Sequence, residues 1–145
     1  MIERIMKYLD CSRDYFPGGI TKDEAELLAE ATERNFGYRL PDEVLAVLTE
    51  INGFNADGTT FFSFMNEEIR TKFRYMIPRD ILYNNLEFRK NDGDPNYLLF
   101  AKTELSFFAI EISSEQYVLI SNSSDDLFRR FSSFDEAMQC LLEEW

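Results

Sequence analysis

Three strand candidates follow one another closely in the second half of the chain, and they constrain the fold more than any other feature. Short turns separate them, and residues 113–115 have the composition of a hairpin turn. In the middle candidate, Phe108, Ile110 and Ile112 alternate with other residues and so share one face of a strand. Antiparallel strands can be joined by tight turns, whereas parallel strands need long crossovers. The pattern therefore predicts an antiparallel meander with strands over 97–101, 105–112 and 116–121.

Helices are predicted in the first half of the chain by the signals at their ends. Thr21 and Glu24 form a capping box that begins a helix, which runs to about residue 35 and stops at Gly37. Pro41 suits the first turn of the next helix, and Asn52-Gly53 ends it. A short amphipathic helix is predicted before both, from apolar residues at helical spacing: Ile2, Ile5, Met6 and Leu9.

The final helix completes the predicted fold. Ser133 and Glu136 form a second capping box, and apolar residues at helical spacing follow from Phe134 to the end of the chain. A further strand is predicted over 59–64. Between 66 and 96 the sequence favours only a short helix around Leu82 and a turn over 91–95. Helices, then strands, then one helix predict a single α+β domain over 1–145, with an antiparallel sheet packed against helices.

The net charge of the chain indicates which classes of partner it can attract. The chain carries 15 basic and 27 acidic residues, for a formal net charge of −12. A field of that sign repels nucleic acid and anionic membranes and favours a basic protein partner. The first residues alternate charged and apolar side chains, unlike a secretory signal, and Cys11 and Cys140 do not resemble a disulfide framework. We therefore expect a reduced, cytoplasmic protein that binds neither nucleic acid nor membrane.

The sequence offers little catalytic chemistry. It contains no histidine, which is the commonest general base and metal ligand. Asn91-Asp92-Gly93-Asp94 lacks the spacing of a calcium-binding loop. Adjacent carboxylates such as Glu143-Glu144 are typical of solvated helix ends. We therefore expect no enzyme activity, no catalytic residues, no cofactor and no metal site.

Short motifs follow one another along the chain: Thr21-x-x-Glu24, Phe36-Gly37-Tyr38-x-Leu40-Pro41, Leu45-x-x-Leu48-x-x-Ile51-Asn52-Gly53, Asn96-Tyr97-Leu98-Leu99-Phe100 and Phe131-Ser132-Ser133-Phe134. Their order and spacing resemble the SUKH superfamily over roughly residues 20–145. The resemblance implies a protein that binds rather than catalyses, because the family has no characteristic catalytic residues. Most members are similar to bacterial immunity proteins, which neutralise a cognate toxin, frequently a nuclease. Others resemble regulators of cell-wall synthesis in fungi or ligand-sensing scaffolds.

Three functional hypotheses follow. The first is an immunity protein that binds a basic, nuclease-like toxin domain. The alternatives are a regulatory or scaffold domain that binds an endogenous protein or small ligand, and a carboxylate-based enzyme. For the first, loops carry binding residues more often than helices do, so the acidic turns are preferred to the acids on helix faces. We expect those turns to converge on one side of the sheet, with contacts from Asp57, Glu67, Glu68, Asp92, Asp94, Asp125 and Asp126.

Overall fold

The computed structural model describes residues 3, 5, 7, 18–56 and 58–143. Its helices are α1 Lys22–Phe36, α2 Asp42–Glu50, α3 Glu67–Lys72, a 3₁₀-helix Arg74–Arg79, α4 Ile81–Lys90 and α5 Phe134–Glu143. Its strands are β1 Phe54–Ala56, β2 Thr59–Phe61, β3 Tyr97–Lys102, β4 Ser106–Glu111, β5 Gln116–Ser121 and β6 Leu127–Phe131. The predicted N-terminal helix falls largely outside the described residues, as do Cys11 and Asp57. Within the described part, no helix has both the length and the apolarity needed to cross a bilayer.

The sheet is a six-stranded antiparallel meander in which sequence order equals spatial order. The predicted strands β3, β4 and β5 are confirmed, and so is the α+β fold class. β2 is shorter than predicted. Phe62 still bonds to β3, since its N–H donates to the carbonyl of Phe100 at 3.0 Å, but the chain leaves the sheet after this residue. β1 and β6 were not predicted. β6 forms an edge of the sheet and is exposed along most of its length, so its sequence lacks the alternation of a half-buried strand.

The predicted helix ends are present, with one difference. At α1 the Glu24 N–H donates to Thr21 Oγ1 at 3.1 Å, and the Thr21 N–H donates to Glu24 Oε1 at 3.0 Å. At α5 the Glu136 N–H donates to Ser133 Oγ at 3.1 Å, as a capping box requires. The Glu136 carboxylate, however, accepts from the Ser132 N–H at 2.7 Å rather than from Ser133. Both boxes satisfy amides that the first turn of a helix leaves unpaired.

An aromatic cluster lies where α5 meets the sheet. The Phe100 ring on β3 packs against the rings of Phe61, Phe108, Tyr117 and Phe134, with centroids 5.8 to 6.3 Å apart. Edge-to-face and tilted contacts of this kind add to the free energy gained by burying the rings. The helices supply the rest of this core, where Leu48 of α2 and Leu141 of α5 are fully buried.

The Asn52-Gly53 pair ties the end of α2 to the chain beyond β2. The buried Asn52 amide accepts from the Phe64 N–H at 2.8 Å and donates to the Phe64 carbonyl at 3.0 Å. Gly53 has a φ of 76°, and a Cβ there would lie 2.7 Å from the Phe61 carbonyl oxygen. The pair therefore does more than end a helix, because it fixes where the next strands lie.

A second buried asparagine does the same for α4. The fully buried Asn85 accepts from the Leu99 N–H at 2.7 Å and donates to the Leu99 carbonyl at 2.9 Å. β2 pairs only with Ala101 and Lys102 of β3. The backbone of Leu99 therefore bonds to the Asn85 side chain instead of to a neighbouring strand. This contact holds α4 against the edge of β3.

α3 and the 3₁₀-helix are joined to α4 by an ion pair. Arg70 Nη2 lies 2.5 Å from Asp80 Oδ2, and Asp80 is fully buried. Asp80 Oδ1 also accepts from the Leu82 N–H at 2.9 Å, which caps α4. Burial raises the pKa of Asp80, against the opposing effect of the Arg70 guanidinium and the capping amide. Asp80 is therefore a structural anchor for the segment that the sequence left unassigned.

Candidate partner-binding surface

Two acidic turns meet in the structure. The turn between α4 and β3 contains Asp92 and Asp94, and the turn between β5 and β6 contains Asp125 and Asp126. The Asp94 N–H donates to Asp125 Oδ2 at 3.1 Å, which joins the two turns directly. Four of the seven predicted contact residues therefore lie close together.

Backbone geometry fixes both turns. Asp92 has a φ of 67° and Asp125 a φ of 60°, in the left-handed region that aspartate tolerates better than most residues. At the end of α4 the Gly93 N–H donates to the Phe88 carbonyl at 2.8 Å, and a Cβ at Gly93 would lie 2.5 Å from that oxygen. The close approach requires glycine, and it sets the direction in which the acidic turn leaves the helix.

The turns border a cleft of about 470 Å³. Its floor is formed by Phe88 and Phe107, whose rings meet edge to face with centroids 5.6 Å apart. Its walls are polar and carry three carboxylates, from Glu87, Asp92 and Asp125. The other wall residues are amides and hydroxyls, from Asn84, Asn91, Asn122, Ser123 and Ser124.

The amides of the cleft are arranged to accept hydrogen bonds. The side-chain nitrogen of Asn84 donates to the Pro78 carbonyl at 2.8 Å, that of Asn91 to Glu87 at 2.9 Å and that of Asn122 to Glu104 at 2.7 Å. Among the described residues, the carboxylates of Glu87 and Asp92 accept no hydrogen bond, and Asp125 keeps Oδ1 as an acceptor because its Oδ2 accepts from the Asp94 N–H. An acceptor-rich wall over an aromatic floor suits the ammonium or guanidinium group of a basic side chain, whose alkyl stem covers apolar surface.

Glu67 and Glu68 lie elsewhere, in the first turn of α3 rather than in a loop. Asn66 caps that helix by accepting from the Ile69 N–H at 2.9 Å, and this local signal makes a helix of what was expected to be a turn. Glu68 forms an ion pair with Lys72 at 3.2 Å. The structure therefore separates this pair from the two joined turns.

Glu87 and the amide residues were not predicted to take part. Asn84, Glu87 and Asn91 stand at i, i+3 and i+7, so they share one side of α4 and its end. The sequence predicts only a short helix around Leu82, whereas α4 continues to Lys90. The shared side of these residues can be recognised only once that length is known. The aromatic floor depends on contact between α4 and β4, which no local pattern reveals.

The hypothesis of a carboxylate-based enzyme depends on the positions and pKa values of the carboxyl groups. Glycosidase-type chemistry needs two facing carboxyls with separated pKa values. Asp80 is the described carboxyl whose pKa is raised, and it is bonded to Arg70 and to the end of α4 rather than open to the cleft. Among the residues that the structure describes, no three acidic, cysteine or histidine side chains are grouped to hold a metal ion.

One comparison with known proteins places the chain in a family. The model of the SMI1 / KNR4 family (SUKH-1) matches residues 22–139. The match begins with α1, spans the whole sheet and ends within α5, so it includes both acidic turns. No curated protein matches the sequence.

Proposed function

We propose that this chain, which belongs to the SMI1 / KNR4 family (SUKH-1), is an immunity protein that binds a basic toxin domain and blocks it. The family is consistent with proteins of the toxin-immunity type. For this chain, the main support is the acceptor-rich cleft between α4 and the β5–β6 turn. No catalytic step is required of the chain, because occlusion of the toxin surface is enough.

The cleft supports recognition of a lysine or arginine of the toxin. The charged group would lie between Glu87, Asp92 and Asp125, and its alkyl stem would lie over Phe88 and Phe107. Hydrogen bonds to charged groups contribute about 1.5–3 kcal/mol each, so one well-placed basic residue can be a major contact. A nuclease toxin has such residues on its active face, because its substrate is an anionic polymer.

The net charge supports fast association. A protein of net charge −12 attracts a basic domain over several ångströms, and steering of this kind raises association rates by about 10 to 1,000-fold. Charge–charge attraction between exposed groups weakens as salt rises, because the Debye length shortens to about 8 Å at physiological ionic strength. The proposed complex should therefore form more slowly at high salt.

The test compares two variants that remove the same number of charges. The first carries Glu87→Gln, Asp92→Asn and Asp125→Asn, which keep side-chain size and, at the two aspartates, tolerance of a positive φ. The control carries Glu67→Gln and Glu68→Gln on α3 together with Glu30→Gln on α1, all exposed. Association with a basic nuclease domain encoded beside this chain is measured by stopped-flow fluorescence across a range of salt concentrations.

The cleft variant should associate about tenfold more slowly than the parent chain, with a flatter salt dependence. The control should stay within about twofold, because its charges contribute only to the general field. Equal loss in both variants would show that net charge acts without the cleft. Unchanged association in both would contradict the proposed contact surface.

A regulatory or scaffold role is the second candidate, and a recess between α2 and the start of α5 favours it. The recess measures about 470 Å³ and combines apolar walls from Val47 and Phe134 with carboxylates from Glu43, Glu50 and Asp135. Sites for small ligands commonly combine an apolar lining with a few polar groups. A library of small cationic ligands tested by thermal shift would detect this role, and Ala46→Trp, at an exposed residue that lines the recess, should then abolish any shift.

A further inference from the structure

The stretch from α3 through the 3₁₀-helix contributes no buried side chain. Every residue of Glu67–Lys72 and Arg74–Arg79 is either exposed or half-buried. Phe73, between them, is exposed as well. Helical segments in small domains ordinarily bury an apolar face against the core. This stretch therefore forms a surface feature, named here the basic platform and defined as residues 70–79.

Aromatic side chains are displayed on the basic platform. Tyr75 is 77% exposed and Phe73 is 43% exposed, and their rings meet edge to face with centroids 6.2 Å apart. Large aromatic side chains left in water together are typical of protein interaction sites, where they supply contact area at a small cost in conformational entropy. The pair is already in mutual contact before any partner arrives.

The local charge of the basic platform is opposite to that of the whole chain. It contains Arg70, Lys72, Arg74 and Arg79 and no acidic residue. Arg70 and Lys72 are paired with Asp80 and Glu68. Arg74 and Arg79 make no ion pair among the residues that the structure describes, so their guanidinium groups are available to a partner.

The basic platform is held at both ends. At its start, Asn66 Nδ2 donates to Glu24 of α1 at 2.8 Å. At its end, the Ser63 N–H donates to the Arg79 carbonyl at 2.9 Å, and Ser63 pairs with Asp80 in a parallel bridge. The buried ion pair of Asp80 adds a third attachment. A surface fixed in this way loses little conformational entropy on binding.

We infer that the basic platform binds an acidic protein segment in which an apolar side chain is placed among carboxylates. Arg74 and Arg79 would take the carboxylates, since guanidinium forms paired hydrogen bonds with them. The apolar side chain would pack on Phe73 and Tyr75. Arginine and tyrosine can also hold single-stranded nucleic acid. The net charge of −12 opposes any anionic partner, and the opposition grows with the charge of that partner, so a short segment with a few carboxylates suits the two unpaired guanidinium groups better than a nucleic acid does. This partner is distinct from a basic toxin, whose charge the basic platform would repel.

The test uses a fluorescently labelled peptide of alternating glutamate and phenylalanine, followed by fluorescence anisotropy on the full chain. The variants are Arg74→Glu with Arg79→Glu, and separately Tyr75→Ala. The control matched in net charge is Arg34→Glu with Lys90→Glu, which reverses two exposed charges in the last turns of α1 and α4, outside the basic platform. Thermal unfolding of every variant is recorded, and Tyr75 is too exposed for its truncation to disturb the fold.

The parent chain should bind this peptide and should not bind the same peptide with lysine in place of glutamate. The double reversal on the basic platform should weaken binding by at least about tenfold, and Tyr75→Ala by a smaller factor. The control with Arg34→Glu and Lys90→Glu should leave binding within about twofold. The inference is overturned if the parent chain does not bind the acidic peptide, or if the double reversal binds it as tightly as the parent chain does. Tighter binding to a labelled oligothymidine, or self-association that the double reversal abolishes, would also overturn it, because the occupant would then be nucleic acid or a second copy.

Discussion

Replacement of Asn52 by alanine should destabilise the protein severely, although the residue touches no candidate site. The side-chain amide satisfies both the N–H and the carbonyl of Phe64 in a buried position. An unsatisfied buried donor or acceptor costs about 1–3 kcal/mol, so losing both partners should cost about 2–6 kcal/mol. A domain of this kind has only about 5–15 kcal/mol of stability in total. The change should therefore remove a large fraction of it.

The assay is equilibrium unfolding in urea followed by far-ultraviolet and near-ultraviolet circular dichroism. Asn52→Leu is measured beside Asn52→Ala, because leucine restores the volume without the hydrogen bonds. Asn91→Ala is the control, since its exposed amide donates only to the Glu87 carbonyl, where water can replace it. The control should lose less than about 1 kcal/mol.

Both Asn52 variants should unfold at clearly lower urea than the parent chain, by about 1–3 M when the slope is near 2 kcal/mol per molar urea. A recovery of stability in Asn52→Leu would show that volume rather than hydrogen bonding matters there. A loss in Asn52→Ala no larger than that of Asn91→Ala would refute the role given to the Asn-Gly pair.

Other predictions test the core, the turns and the carboxylates. Leu48→Ala and Leu141→Ala should each cost about 2–5 kcal/mol in urea titrations, because both side chains are fully buried, and a loss under about 1 kcal/mol would contradict this. Gly53→Ala should destabilise more than Gly37→Ala, since both have a φ of 76° but only Gly53 has backbone within contact of a new Cβ, and equal losses would exclude that clash. Hydrogen bonds from Ser132 and Arg129 lower the pKa of Glu136 from 4.5 to about 2, so its stabilising effect should be complete above pH 4.5 and lost as the pH falls toward 2. Glu136→Gln should flatten the decline in melting temperature over that range, and an unaltered decline would refute the assignment.

The parts of the fold that the sequence predicts are those with local signals. Capping boxes and a helical period mark α1 and α5, and close spacing with strong alternation marks β3 to β5. β6 has no such signal, because it is an exposed edge strand whose Arg130 is paired with Glu111 of β4. Its existence depends on pairing with β5, which is a contact between segments rather than a property of one.

The candidate site was predictable in part for the same reason. Turn-forming residues identify the acidic loops around Asp92 and Asp125 without a structure. Their joining through Asp94, and the aromatic floor beneath them, result from the way α4 lies against the sheet. The prediction of a turn at Glu67 and Glu68 is wrong because Asn66 caps a short helix there, accepting from the Ile69 N–H.

Neutralisation of a toxin by this chain can be measured as inhibition of the toxin's activity. A basic candidate domain, taken from a reading frame adjacent to that of this chain, is assayed for nuclease activity on nucleic acid while the chain is titrated in. We expect nuclease activity to be lost at an equimolar ratio, and we expect excess protein to be needed when Glu87, Asp92 and Asp125 are neutralised together. Full nuclease activity in the presence of a large excess of the unaltered chain would contradict this expectation.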